Sequence, residues 1–124
     1  MAKKIVIIVE DDVSIHDLLL DIFRFEGYIT LSAKNGAEAL KISREAEPDI
    51  MVLDKQLPDM NGIEVCMSMK SDPITSNIKV LMLSGMSQSE DIQEAYEAKA
   101  DAYLVKPFRI KTLVDKVEDL IQSD

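Results

Sequence analysis

Glu10, Asp11, Asp54, Ser84 and Lys106 are the residues of this chain whose types could do chemistry together. Three carboxylates brought close repel one another, which raises the cost of ionising all of them. A hard divalent cation relieves that repulsion. Mg2+ takes oxygen ligands in octahedral geometry, keeps several waters and commonly binds through one or two carboxylates plus a phosphate oxygen, with Mn2+ as the alternative for the same donors. An aspartate beside such an ion can attack phosphorus through oxygen and form an acyl phosphate. Asp54 is the better nucleophile candidate, because it would stand at a central strand end between Lys106 and the paired acids. Lys106 and Ser84 would then hold the other phosphoryl oxygens. Plainer roles stand beside these: helix capping for Asp11 and Asp12, loop polarity for Asp54, and a solvated, acid-neutralising side chain for Lys106.

These residues are scattered over nearly 100 positions, so the fold must gather them. Five short apolar runs begin near residues 5, 28, 50, 80 and 102: Ile5 to Val9, Tyr28 to Leu31, Ile50 to Leu53, Val80 to Leu83 and Ala102 to Val105. Several are apolar throughout rather than alternating, the mark of parallel strands covered on both faces. Helical patterns follow them at Ser14 to Glu26, Gly36 to Ala46, Gly62 to Lys70, Ser87 to Lys99 and Ile110 to Ile121. In the first, Ile15, Leu19, Ile22 and Phe23 form an apolar stripe opposite Asp17, Asp21 and Arg24. Asp12 or Ser14 can cap that helix, and Pro107 stops the fifth strand before the last helix. The order βαβαβαβαβα predicts an α/β fold, a doubly wound sandwich of three layers with a five-stranded parallel sheet and five helices. In such folds ligands bind outside the carboxyl ends of the strands. Glu10, Asp11 and Asp12 follow the first run, Asp54 the third, Ser84 and Gly85 the fourth, and Lys106 and Pro107 the fifth.

Composition narrows the function from the other side. A chain of 124 residues is expected to be one domain, 1–124, with no room for a separate effector module. With 14 basic against 23 acidic side chains, a net charge of -9 disfavours direct nucleic-acid binding and anionic membranes. One cysteine, Cys66, excludes an intramolecular disulfide, and Cys66 and His16 alone cannot make a structural zinc site. The longest apolar run is five residues, so no membrane insertion and a cytoplasmic location are expected. His16 is expected at the surface or boundary of the first helix, and Cys66 and the methionines as packing residues.

The segments IVIIVEDD at 5–12, PDIMVLD at 48–54, LPDMNG at 57–62, VLMLSG at 80–85 and DAYLVKPF at 101–108 together resemble the receiver domain of two-component response regulators, the CheY-like, stand-alone type included. The resemblance covers essentially the whole chain. It implies a flavodoxin-like sheet with strand order 2-1-3-4-5. It implies that Asp54 accepts phosphate from a histidine kinase or histidine phosphotransfer protein. Asp11, Asp54 and the Gln56 main-chain carbonyl would ligate Mg2+, with Glu10 assisting through water, and Lys106 would be the phosphate counterion. Ser84 would shift towards the phosphoryl group, Tyr103 would follow from an exposed to a buried rotamer, and the Lys106–Pro107 peptide would be cis. The surface of the fourth helix, fifth strand and fifth helix would then change its affinity for a downstream protein. Gln56 and Met86 would flank the phosphoryl group and tune its hydrolysis.

Three positions depart from the family pattern. Lys55 stands where an apolar residue is more usual, and its charge is expected to face solvent near the site. Lys99 takes a helix-ending position where glycine is frequent, so either the last turn differs or Lys99 bears a backbone cost. Asn61 replaces a frequent aspartate. Two other functions stay in view: an aspartyl-nucleophile phosphatase, which needs an acid where this chain has Gln56, and a receiver-like module that binds protein without phosphorylation. The oligomeric state is expected to be a monomer or a weak dimer.

Overall fold

The computed structural model describes residues 3–123. Its elements are β1 (Ile5–Val9), α1 (Val13–Phe25), β2 (Ile29–Ala33), α2 (Gly36–Ala46), β3 (Ile50–Asp54), α3 (Gly62–Ser71), β4 (Lys79–Ser84), α4 (Ser89–Glu97), β5 (Ala102–Val105) and α5 (Ile110–Gln122). The strands form one parallel sheet in the order β2-β1-β3-β4-β5. The α/β sandwich is therefore the one expected, and β1, α2 and β5 have the expected bounds. β2 begins one residue later and runs two further, because Ser32 and Ala33 continue the pairing with Ile8 and Val9. α4 is two residues shorter at each end.

The continuously apolar strands divide their side chains between two cores. Ile7, Val9, Met51, Leu53, Val80 and Met82 face one way, into a core with Val65, Cys66, Met69 and Ala95 of α3 and α4. Val6, Ile8, Ile50, Val52, Leu81 and Leu83 face the other, against Leu19, Leu20 and Phe23 of α1 and Leu113 and Val117 of α5. Side chains alternate across a strand, so a strand covered on both faces has no polar position to spare. Among the described residues no helix is long and apolar enough to cross a membrane.

The helix starts are fixed mostly by side chains. Asp12 Oδ1 accepts from the Ile15 N–H at 3.0 Å and Asn35 Oδ1 from the Glu38 N–H at 2.8 Å. Asn61 Oδ1 accepts from the Ile63 N–H at 2.8 Å, while the Glu64 carboxylate reaches back to the Asn61 N–H at 3.5 Å. α4 and α5 differ: Gln88 and Arg109 precede them and make no side-chain cap bond. Lys99, after α4, sits at φ 71°, so of the two alternatives it is the backbone cost that it bears.

His16 is buried rather than at the surface. It is wedged between α1 and β2 by hydrogen bonds to Ser32 Oγ and, at 3.1 Å, Asp17 Oδ1. Cys66 is buried in α3, where its thiol contacts the Ala98 carbonyl at 3.3 Å and burial pushes its pKa up to about 11.

Candidate functional site

The topology does the gathering that the chemistry needs. β1, β3 and β4 are adjacent, with β5 beyond them, and all run parallel. Their carboxyl ends therefore bring Glu10, Asp54, Ser84 and Lys106 to one rim. One carboxylate oxygen from each of Glu10, Asp11 and Asp54 lies within 4.8 Å of the others. Lys106 Nζ stands 3.3 Å from Asp54 Oδ2 and 3.3 Å from Glu10 Oε1. Asp54 Oδ1 accepts from the Gln56 N–H at 3.0 Å, which fixes the carboxylate towards the loop.

Glu10 is only 1% exposed, and its Oε2 has no hydrogen-bond partner among the described residues. Burial first, then the neighbouring Asp54 carboxylate, push its pKa up to about 8 against the pull of Lys106. Burial works against the Lys106 ammonium, but the charges of Asp54 and Glu10 outweigh it and hold the lysine above its ordinary value. One ammonium thus serves two buried acids, with a lone pair left over. Oxygen donors, an orphaned carboxylate oxygen and surplus negative charge fit a hard divalent cation.

The loop from Lys55 to Asn61 is braced on both sides. The Gly62 N–H donates to the Lys55 carbonyl at 2.7 Å, and a Cβ on Gly62 would lie 2.7 Å from the Asp54 carbonyl oxygen. Only glycine lets the start of α3 approach the acceptor backbone so closely. Asp59 accepts from the Gly36 and Ala37 N–H groups at 2.7 and 3.0 Å, tying the loop to the start of α2. These bonds hold Asp59 below the usual carboxylate range.

On the other flank, Ser84 Oγ accepts from the Met86 N–H at 3.0 Å and makes no hydrogen bond to Asp54; the Tyr103 hydroxyl donates to the Met86 carbonyl at 2.7 Å. Tyr103 is buried, so the inward position, not the exposed one, is found here. Gln56 and Met86 are both exposed, and with Lys55 and the 57–61 segment they line a hollow of about 360 Å3 that none of Glu10, Asp11 and Asp54 lines. The Lys106–Pro107 peptide is cis.

Lys55 corrects the sequence expectation. Its side chain is 3% exposed, and its ammonium lies 3.2 Å from Glu94 Oε1 and 3.6 Å from Asp91 Oδ1 of α4. It also donates to Met86 Sδ at 3.7 Å. The available signal was Asp91 and Glu94, three residues apart on one helical face.

The family model for the response regulator receiver domain matches residues 6–118. The chain belongs to the response regulator receiver domain family. Receiver domains serve phosphorylation-dependent signalling. The chain is 37% identical over 118 residues to sporulation initiation phosphotransferase F of Bacillus subtilis, covering 95% of this chain and 94% of that protein. It is 38% identical over 112 residues to the DNA-binding response regulator MtrA of Mycobacterium leprae, covering 90% of this chain and 48% of that protein. The chain thus spans about half the length of the first curated relatives it matches. Chemotaxis protein CheY4 of Vibrio cholerae superposes with a TM-score of 0.91 at 28% identity, covering 96% of this chain and 99% of that one.

Proposed function

We propose that this receiver domain is a switch in which Asp54 takes a phosphoryl group from a phosphohistidine on a histidine kinase or histidine phosphotransfer protein. An Asp54 oxygen forms the new bond to phosphorus, the P–N bond breaks, and its electron pair returns to the imidazole nitrogen, which takes up a proton. The observation that carries this is the position of Lys106, between Asp54 and the buried, half-satisfied Glu10. Lys106 is placed to hold a phosphoryl oxygen once it forms, and the Gln56 N–H already orients the attacking carboxylate. Asp11, Asp54 and the Gln56 carbonyl would hold Mg2+, with Glu10 assisting through water. The ion, when bound, spreads the charge of the transferring group.

The donor must cross the rim of the site. Next to Lys106, Ile15, Leu18, Leu19, Pro107 and Phe108 line an apolar hollow of about 450 Å3 suited to its approach. Ser84 and Met86 stand where a phosphoryl group would draw the β4–α4 loop inward. The face of α4, β5 and α5 would then bind a downstream protein differently in the two states, as any signal requires. The receiver function is read as cytoplasmic, and residues 1–124 themselves as free of direct nucleic-acid contact. Gln56 offers no acid for leaving-group protonation, which weighs against a phosphatase.

The test is labelling with radioactive acetyl phosphate in Mg2+. Stoichiometric, acid-stable and base-labile label is expected on the wild type and none on Asp54→Ala. Label retained in Asp54→Ala would remove Asp54 from this role.

A further inference from the structure

We infer that Lys55 is a latch between the acceptor loop and α4, and that its ion pairs with Asp91 and Glu94 set how far a phosphoryl group on Asp54 can move that helix. α4 has little else to hold it. It is nine residues long, fully buries only Ala95 with Ile92 partly buried against the same core, and lacks a side-chain cap bond. α1 and α3, of 13 and 10 residues, bury four and five residues and begin with capping bonds, and α5, which also lacks a cap bond, buries three over 13 residues. A nine-residue helix is too short to persist without tertiary support.

Against that weak anchoring, Lys55 places a nearly solvent-free ammonium on two acids of one helical face. A charge so buried cannot be left unpaired without a large penalty, so α4 and Lys55 stay together. The same ammonium touches Met86 Sδ, and Met86 is bonded through its N–H to Ser84 and through its carbonyl to Tyr103. Lys55 directly follows Asp54 in the chain, so displacement of the acceptor backbone or of the Ser84–Met86 loop pulls on the pairs that hold α4. Lys55 is a positioning residue in this scheme and touches no reacting atom.

The coupling to phosphorylation rests on the function proposed above; the latch itself does not, and the experiment separates them. In unphosphorylated protein, amide hydrogen exchange across residues 92–97 is expected to quicken about tenfold in Lys55→Met, with α1 and α5 unchanged, since local opening reports local anchoring. Asp91→Asn with Glu94→Gln, which leaves the Lys55 stem in place, should do the same if Lys55→Met fails to fold, and Lys55→Arg should restore protection. Exchange within about twofold of wild type in the folded variants, or acceleration spread evenly over all helices, would overturn the latch.

After labelling, wild-type α4 should change its exchange, while Lys55→Met, already released, should change by less than half as much. An equal change in both proteins would overturn the coupling. Failure of the wild type to take label would overturn the phosphoacceptor function and the coupling with it, and the unphosphorylated comparison would still decide the latch.

Discussion

At the carboxyl ends of the strands Lys106 divides itself between Glu10 and Asp54 at 3.3 Å, and Glu10 Oε2 is left without a partner. At the amino ends Lys70 donates to Asp101 Oδ2 at 2.9 Å and to the Ile78 carbonyl at 2.8 Å. Asp101 Oδ2 also accepts from the Val80 N–H at 2.8 Å, and Asp49 accepts from the Ile5 N–H at 2.7 Å. Both ends are built from lysines and carboxylates. At one end the donors and acceptors balance, so the cluster fastens strand starts to loops. At the other, two buried acids share one cation and one carboxylate oxygen has no hydrogen-bond partner among the described residues. Ser43 Oγ in α2 is also buried without a partner, so neither charge type nor one orphaned atom marks a site; an orphaned carboxylate oxygen beside a second buried acid and a shared cation does.

That contrast can be broken most sharply at the lysines. Lys106→Met should lower the rate of Asp54 labelling by about a hundredfold, the scale for losing one preorganised charge at a transferring group, measured with a small acyl phosphate. A labelling rate near wild type would erase the distinction between the two ends. The counterpart is Asp101→Ala, which strips partners from Lys70 and the Val80 N–H. It should cost about 2 kcal/mol in urea unfolding while leaving the labelling rate of the folded protein unchanged. Loss of labelling without loss of stability would show the amino end to be chemically active.

The smallest effect sharpens the same line. Mg2+ at about ten times its dissociation constant should add about 1.4 kcal/mol to wild-type stability, by mass action. Asp11→Asn should abolish most of that gain, and Asp101→Ala should keep it. An equal Mg2+ response in Asp11→Asn would move the cation away from the acidic rim.

The sheet and the convergence at its rim were legible in the sequence for one reason. A strand covered on both faces must be apolar throughout, so its end is marked by the first polar residue, and Glu10 and Lys106 are such residues directly after the β1 and β5 runs. The limits of α4 were not, because Ser87, Gln88 and Ser89 offer several starts and no cap bond chooses among them. Ser32 and Ala33 extend β2 because a neighbouring strand supplies partners, which no local pattern reveals. Lys55 was the furthest from its expectation. A lysine beside a polar loop suggests solvent, and only the approach of Asp91 and Glu94, more than thirty positions away, makes its burial tolerable. His16 likewise owes its burial to Ser32 on another element.

The bracing of the acceptor loop carries a practical consequence. Gly62 presses α3 onto the Asp54–Lys55 backbone, while Asp59 occupies the first N–H groups of α2. The segment between Asp54 and Gly62 therefore has no slack to give an engineer. Lengthening it by even one residue would have to unseat either the start of α2 or the first turn of α3. A transplant of this acceptor into another scaffold would need both helix starts as part of the graft.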